Sequence, residues 1–111
     1  MATIAWEDFE RVDMRVGEIV EVGEFPEARK LSYRMQIDFG ALGVKKSAAA
    51  VKEWYAREDL RGRRVIAVVN FAPKQIANFL SEVLVLGAIR ADGRVVLLRP
   101  DDGAQPGDRI A

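Results

Sequence analysis

From position 33 to position 39 the chain alternates strictly. Tyr33, Met35, Ile37 and Phe39 are apolar, and Arg34, Gln36 and Asp38 stand between them. A period of two puts successive side chains on opposite faces of a β-strand, so this segment has one buried and one wetted face. Such a strand needs partners along its edges and a second apolar surface over its buried face, which commits the chain to a sheet fold.

Candidate partners lie nearby. Gly40-Ala41-Leu42-Gly43 reads as a tight link to a returning strand over residues 44–51, which opens with Lys45-Lys46-Ser47 and has a small Ala48-Ala49-Ala50 centre. Residues 15–25 are rich in Val and Ile, change their apolar face partway and contain Gly17 and Gly23. This predicts a long bent strand, bulged or kinked at glycine and ended by Pro26. Residues 64–71, carrying Val65-Ile66-Ala67-Val68-Val69, and residues 83–86, stopped by Gly87, are apolar runs of buried-strand length. Asp92-Gly93 before Val95 is a hairpin signal. Residues 72–80 read as irregular, since Pro73 cannot donate to a ladder. The tail, with Pro100, Gly103, Pro106 and Gly107, reads as loop.

Two helices are expected. Trp6 and Phe9, three apart in an acidic stretch, suit a short amphipathic helix that docks both aromatics. Residues 52–60 contain Trp54, Tyr55 and good helix formers, with Gly62 placed to end the helix. At 111 residues the chain is expected to form one domain, 1–111, and half of it is apolar, enough for a core. Short strands with one helix between the third and fourth describe a mainly β fold. The natural candidate is a five-stranded barrel of the oligonucleotide/oligosaccharide-binding (OB) type. An SH3-like barrel is the alternative, and the inserted helix opposes it.

Composition narrows the chemistry. There is no cysteine and no histidine, which removes disulfides, thiol nucleophiles, Cys/His zinc sites and histidine bases. The closest carboxylate pair, Asp101-Asp102, sits in a Gly/Pro-rich tail and reads as a turn. Gly40 to Gly43 followed by Lys45-Lys46-Ser47 has the flavour of a phosphate loop, but it joins two strands rather than opening a helix. No enzyme activity, cofactor or metal is expected. No apolar run is long enough to span a bilayer, and the N-terminus lacks the pattern of a signal peptide, so a cytoplasmic protein is expected.

Binding has more to work with. Seventeen basic and 17 acidic side chains cancel, but unevenly: residues 1–28 carry net −6 and residues 29–74 net +7. That polarity allows a basic face on a neutral body, unless opposite charges mix in space. Alternation puts Lys45 and Lys46 on opposite faces, and a small barrel has no room for a lysine inside. Either one contacts phosphate where the barrel opens, or the pair protects a strand edge. Residues 70–82 form a long polar and aromatic connection containing Asn70, Phe71, Lys74, Phe79, Ser81 and Glu82. Such loops on OB barrels bind single-stranded nucleic acid by hydrogen bonding, phosphate neutralisation and stacking. The plainer alternative makes the two phenylalanines core residues and Asn70 a partner for backbone groups. Arg29 and Lys30 could extend a basic strip, and Arg61, Arg63 and Arg64 add charge without specificity.

Several stretches together resemble the tRNA-binding domain family, which includes the C-terminal appendix of bacterial methionyl-tRNA synthetase and the endothelial monocyte-activating polypeptide II domain. They are Val12-Asp13-Met14-Arg15-Val16-Gly17, Phe25-Pro26-Glu27-Ala28-Arg29-Lys30, Ile37-Asp38-Phe39-Gly40, Val68-Val69-Asn70-Phe71-Ala72-Pro73-Lys74-Gln75-Ile76 and Ser81-Glu82-Val83-Leu84-Val85-Leu86-Gly87. The last two are similar to a stand-alone bacterial branch. The resemblance implies an OB barrel, a homodimer, tRNA as partner and an export-related chaperone role toward unfolded or precursor polypeptides. It places the RNA-facing set on Lys45, Lys46, Ser47, Asn70, Lys74, Ser81 and Glu82, flanked by Arg29 and Lys30. The chain departs from the family in a nearly uncharged loop, Gln75-Ile76-Ala77-Asn78-Phe79, and in having Val83 where a smaller residue is usual. Trp6, Phe9, Trp54, Tyr55 and Phe79 are many large aromatics for one small barrel, so a symmetric interface or a peptide groove is expected to cover some of them. Two readings follow: an RNA-binding module with salt-sensitive affinity, or a peptide-binding chaperone whose binding survives salt.

Overall fold

The computed structural model describes residues 1–111. It contains α1 (Trp6–Glu10), β1 (Met14–Glu24), β2 (Tyr33–Asp38), a 3₁₀ turn (Gly40–Leu42), β3 (Val44–Ala49), α2 (Arg57–Leu60), β4 (Arg64–Val68), β5 (Lys74–Ile76), β6 (Phe79–Ser81), β7 (Leu84–Val85), β8 (Gly87–Ile89) and β9 (Val95–Leu97). The main sheet is antiparallel with order β3-β2-β1-β4-β7, and two hairpins, β5-β6 and β8-β9, stand apart from it. The sheet curls into a nearly closed five-stranded barrel. The fold is the mainly β, OB-type barrel the sequence predicts, with two small helices.

Closure depends on side chains as well as backbone. The Glu82 N–H donates to the Lys46 carbonyl at 2.8 Å. The Ser47 hydroxyl donates to the Val83 carbonyl at 2.9 Å, and the Ser81 hydroxyl accepts the Ala48 N–H at 3.2 Å. Residues 81–83 thereby sew the outer edge of β3 to the far side of the barrel.

The alternation in β2 holds as read: Tyr33, Met35 and Ile37 are buried, while Arg34 and Gln36 are exposed. With Ile19, Val22, Phe39, Val51, Leu60 and Val65 they form the core, each apolar side chain contributing about 1.5–3 kcal/mol by leaving water. β1 serves two partners. Its first half pairs with β4 and its second half with β2. The freed edge of the first half is covered by the C-terminal tail: Gly107 and Ile110 donate N–H bonds to the Val16 and Met14 carbonyls, and Val16 donates to Asp108.

Several expectations are corrected. The break in β1 falls between Ile19 and Glu21, at Val20, inside its ladder with β2, and not at a glycine. Gly17 has another use, since a Cβ there would come within 2.5 Å of Ile37 and 2.7 Å of Phe39. Helix α1 does not dock its aromatics: Trp6 is 83% exposed and Phe9 39%. Five residues make less than two turns, too short to lay both rings on the barrel. Residues 52–60, read as a short helix or helical turns, contain both: turns over 52–54 and the helix Arg57–Leu60, with Tyr55 between them packed against the core. Residues 72–80 are not irregular but form the β5-β6 hairpin: Pro73 precedes the ladder, and Ala77, at φ 51°, makes its turn. The run at 83–86 contributes only a two-residue strand, and Leu84 is half exposed.

Candidate nucleic-acid interface

The β5-β6 hairpin leans over the outer face of β3 and brings the predicted residues there together. Lys46 Nζ lies 5.4 Å from the centre of the Phe79 ring. Phe79 in turn meets Phe25 at 5.4 Å between ring centres, and the Arg34 guanidinium sits 5.5 Å from the Phe25 ring. Cation, ring, ring and cation form a short ladder from β3 to β2, tying the hairpin to the root of the β1–β2 loop. Cation–ring contacts of this kind hold a charge in place without neutralising it.

Beneath the ladder is a groove of about 510 Å³ lined by Glu21, Val22, Gly23, Arg34, Met35, Gln36, Lys46, Arg57 and Phe79. Strand register explains its floor. Glu21, Gln36 and Lys46 form one row across three strands, and Gly23, Arg34 and Ala48 form the next. Gly23 and Ala48 keep the second row shallow. On the other side of the hairpin is a cavity of about 430 Å³, lined by Lys74 and Glu82 and otherwise mostly apolar, with Phe71, Ile76, Val83 and Leu84.

The predicted residues divide by what they do. Lys46 and Lys74 flank the hairpin, and neither is ion-paired; Lys74 faces Ser81 across it. Lys45 shares the face of Ile37 and Ser47 but is half-buried, at the rim of the barrel. Arg29 and Lys30 are exposed in the β1–β2 loop, apart from the hairpin seam.

The polar members of the set are committed to backbone. Ser47 is buried, and its hydroxyl closes the barrel, so it presents nothing to a ligand. Ser81 is also buried and bonds Ala48. Glu82 Oε1 accepts the Lys46 N–H at 2.9 Å. Asn70 accepts the Asp13 N–H at 3.0 Å and donates to the Arg11 carbonyl at 2.7 Å, clamping the end of β4 to the start of β1. These are the backbone bonds that the plainer alternative expects of Asn70, whose side chain is otherwise exposed.

Beside that clamp, Asp13 takes a forked bond from Arg15, at 2.6 and 3.2 Å. The bond from Arg15 holds the Asp13 carboxyl below the usual carboxylate range, against partial burial, with the charges of Arg15 and Arg109 adding to it. The same bond raises Arg15.

The five aromatics expected at an interface do not form one patch, and the structure pairs no two of their rings. Trp6 and Phe9 line a small apolar cleft with Ile4 and Ala5. Trp54 lies under the Arg94 guanidinium at 3.8 Å. Phe79 belongs to the ladder. Tyr55 is half-buried against the core: its carbonyl accepts from Tyr33 Oη at 2.8 Å and its own Oη accepts the Leu97 N–H at 3.0 Å.

Reading for motifs missed Arg34, Gln36, Gly23 and Phe25. The signal for two of them was present, because the period-two pattern already put Arg34 and Gln36 on the wetted face.

The +7 segment is partly neutralised in space, as Glu18, Glu21 and Glu24 of β1 pair with Arg64, Arg61 and Lys52. What survives unpaired includes Arg34, Lys45, Lys46 and Lys74, on and around β2, β3 and the hairpin. No helix is long and apolar enough to cross a membrane, and no cluster of acidic residues could hold a metal ion.

Comparison with known proteins agrees with this architecture. A CsaA chaperone protein from Picrophilus torridus shares 54% identity and superposes with a TM-score of 0.92 over 98% of this chain and 100% of that one. A chaperone CsaA from Bacillus anthracis shares 46% identity, with a TM-score of 0.94 over 99% of this chain and 100% of that one. Methionine–tRNA ligase of Bdellovibrio bacteriovorus is 38% identical over 109 residues, 98% of this chain but 16% of the ligase. The chain thus spans about one sixth of the curated relatives it matches. The profile of the putative tRNA binding domain matches residues 14–109, and the chain belongs to that family.

Proposed function

We propose that this chain is a tRNA-binding module that carries out no catalysis itself. The observation that carries the reading is the pair Arg34 and Lys46. Both stand at the outer-face groove, each is held against an aromatic ring, and neither is matched to a carboxylate. Unneutralised cations over a ring-lined groove suit phosphates and unstacked bases. Lys74, across the hairpin, adds a further cation beside an apolar wall. Family membership supports the same ligand class.

The test is anisotropy of labelled bulk tRNA from about 50 to 200 mM salt. Affinity should fall steeply with salt. Lys46→Gln and Lys74→Gln should each make the slope shallower by about one unit, whichever tRNA is used. A slope unchanged in both variants would refute the assignment.

The second reading is a chaperone that accepts extended polypeptide. It is favoured by the mostly apolar cavity between Phe71 and Leu84, and two relatives of like length are named chaperones. Polypeptide binding that persists at high salt and is lost in Phe71→Ser would support it. In either case we expect a homodimer, because the chain leaves Trp6, Ile4 and Phe9 uncovered. A sedimentation mass near the monomer value of 12.4 kDa at micromolar concentration would refute the dimer.

A further inference from the structure

The groove does not end at β1. Arg57 lines it and also lines a second cavity of about 490 Å³ beside α2, with Glu58 and Arg61. Gly62, the next residue, lines a third of about 510 Å³, whose walls include Arg63, Arg64, Arg99, Asp101 and Asp102. Arginine therefore stands at every step from the outer face of β2, past α2, to the start of β4.

These cations are not equally free. Arg64 is ion-paired with Glu18 and donates to the Ala104 carbonyl. Arg61 reaches Glu21 at 3.5 Å and Arg57 reaches Glu24 at 4.0 Å, long pairs that a competing anion displaces at little cost, although Arg57 is also anchored by two bonds from its guanidinium to the Val22 carbonyl at 3.0 and 3.2 Å. Arg63 and Arg99 have no carboxylate partner, although Asp101 and Asp102 line the same cavity. The Arg63 guanidinium lies 5.0 Å from the centre of the Tyr55 ring, and Tyr55 is itself fixed by Tyr33 and Leu97. Stacking on an anchored ring orients a guanidinium while leaving its charge available, an arrangement suited to phosphate.

The geometry points to a phosphate track that leaves the groove at Arg57, crosses beside Arg61 and ends on Arg63 and Arg99. The inference rests on the RNA reading of the groove and extends it. An RNA larger than the groove lays its backbone along the arginines, whereas a short single strand occupies the groove alone. The track would explain how a chain of zero net charge holds a large polyanion. Arg57, Arg61, Arg63 and Arg99 line one path; of the acids beside it, Glu24 and Glu21 meet Arg57 and Arg61 only in long pairs, while Asp101 and Asp102 pair with no arginine.

The experiment compares bulk tRNA with a single strand of about six nucleotides, within the usual range for one OB barrel, in salt titrations. The proteins are the unmodified chain, Lys46→Gln, the double variant Arg63→Gln/Arg99→Gln and the double variant Arg63→Lys/Arg99→Lys. The glutamine double variant should make the tRNA slope shallower by about two units and leave the six-mer slope as it was. The lysine double variant should keep most of the tRNA slope, since it keeps the charge. Lys46→Gln should lower both slopes.

An unchanged tRNA slope in the glutamine double variant, with Lys46→Gln still effective, overturns the track and leaves the groove reading standing. Equal loss for six-mer and tRNA overturns it too, because the arginines would then act through the groove. If the lysine double variant behaves like the glutamine one, the loss reports disturbed packing on Tyr55, and the track is refuted. If polyglutamate displaces the six-mer and tRNA equally well from the unmodified chain, the arginines serve acidic polypeptide, not RNA. Absence of salt-sensitive tRNA binding in the unmodified chain removes the groove reading and the track together.

Discussion

Lys46 and Glu82 hold each other through reciprocal bonds: the Lys46 N–H donates to Glu82 Oε1 at 2.9 Å, and the Glu82 N–H donates to the Lys46 carbonyl at 2.8 Å. The pair fixes the backbone of β3 against the strand entering β7 and leaves the lysine ammonium over Phe79. Glu82→Ala removes the acceptor for Lys46 and should cost about 1–3 kcal/mol in urea unfolding. Glu82→Gln keeps an acceptor oxygen and should cost under about 1 kcal/mol. If Glu82→Gln is as stable as the parent yet alters tRNA affinity, the side chain has a ligand role besides the structural one.

Ser47 and Ser81 provide a contrast with the lysines beside them. Ser47→Ala removes the nearer donor of the Val83 carbonyl and leaves it the longer bond from the Ser81 hydroxyl at 3.4 Å, and a loss of about 1 kcal/mol is expected. The salt dependence of tRNA binding should not change, because a buried hydroxyl neutralises no phosphate. Denaturant unfolding and anisotropy on the same preparation check both halves of the claim.

Asn70 joins segments almost sixty residues apart through one accepted and one donated bond. Asn70→Ala should lower stability by about 1–3 kcal/mol. Asn70→Asp should be similarly harmful: it keeps the acceptor for Asp13 but turns a donor into a charged oxygen facing the Arg11 carbonyl. Hydrogen exchange should localise the damage to the start of β1 and the end of β4.

Asp13 sets a pH dependence. Its folded carboxyl titrates below the ordinary value of 3.8, chiefly because Arg15 bonds the ionised form. The unfolded chain therefore binds the proton first as pH falls. The contribution is complete well above the unfolded value and disappears as pH drops through the folded one. Asp13→Asn should flatten the acid end of the stability curve, below about pH 4, relative to the parent. Urea midpoints on the two proteins from about pH 7 down to about pH 3 would show the curves converging at the acid end.

Two glycines on β1 should respond oppositely. A Cβ at Gly23 meets nothing closer than the Arg34 carbonyl at 3.9 Å and lies in the row of Arg34, so Gly23→Leu fits and fills the groove. It should weaken tRNA binding about tenfold or more with little change in stability. Gly17→Ala drives a methyl into Ile37 and Phe39 and should cost about 1–3 kcal/mol. Loss of binding in the second without loss of stability would contradict the packing described for Phe39.

The sequence was most legible where a single period governs. The alternation from Tyr33 to Phe39 located β2, its buried face and, without their being singled out, the exposed Arg34 and Gln36 of the groove. Tyr55, Ser47 and Ser81 were not legible in the bonds they make, because each is bonded to backbone more than twenty residues away, whereas Asn70 was read as one possible partner for backbone groups. Pattern reading treats a polar residue in a loop as available, and only the closed barrel shows that its hydrogen bonds are already used. The misplaced β1 bulge has the same origin. The strand shifts register at Val20 within its ladder to β2, which depends on how the two strands pair rather than on a glycine at the break.

The bonds between residues 107–110 and the first half of β1 carry a consequence for synthesis. Residues 14–16 wait for residues 107–110, which are made more than ninety residues later. Until then the first half of β1 has an open edge where that segment will pair. The nascent barrel is thus exposed to strand addition from other chains until residue 110 emerges, and its final registration waits for that moment.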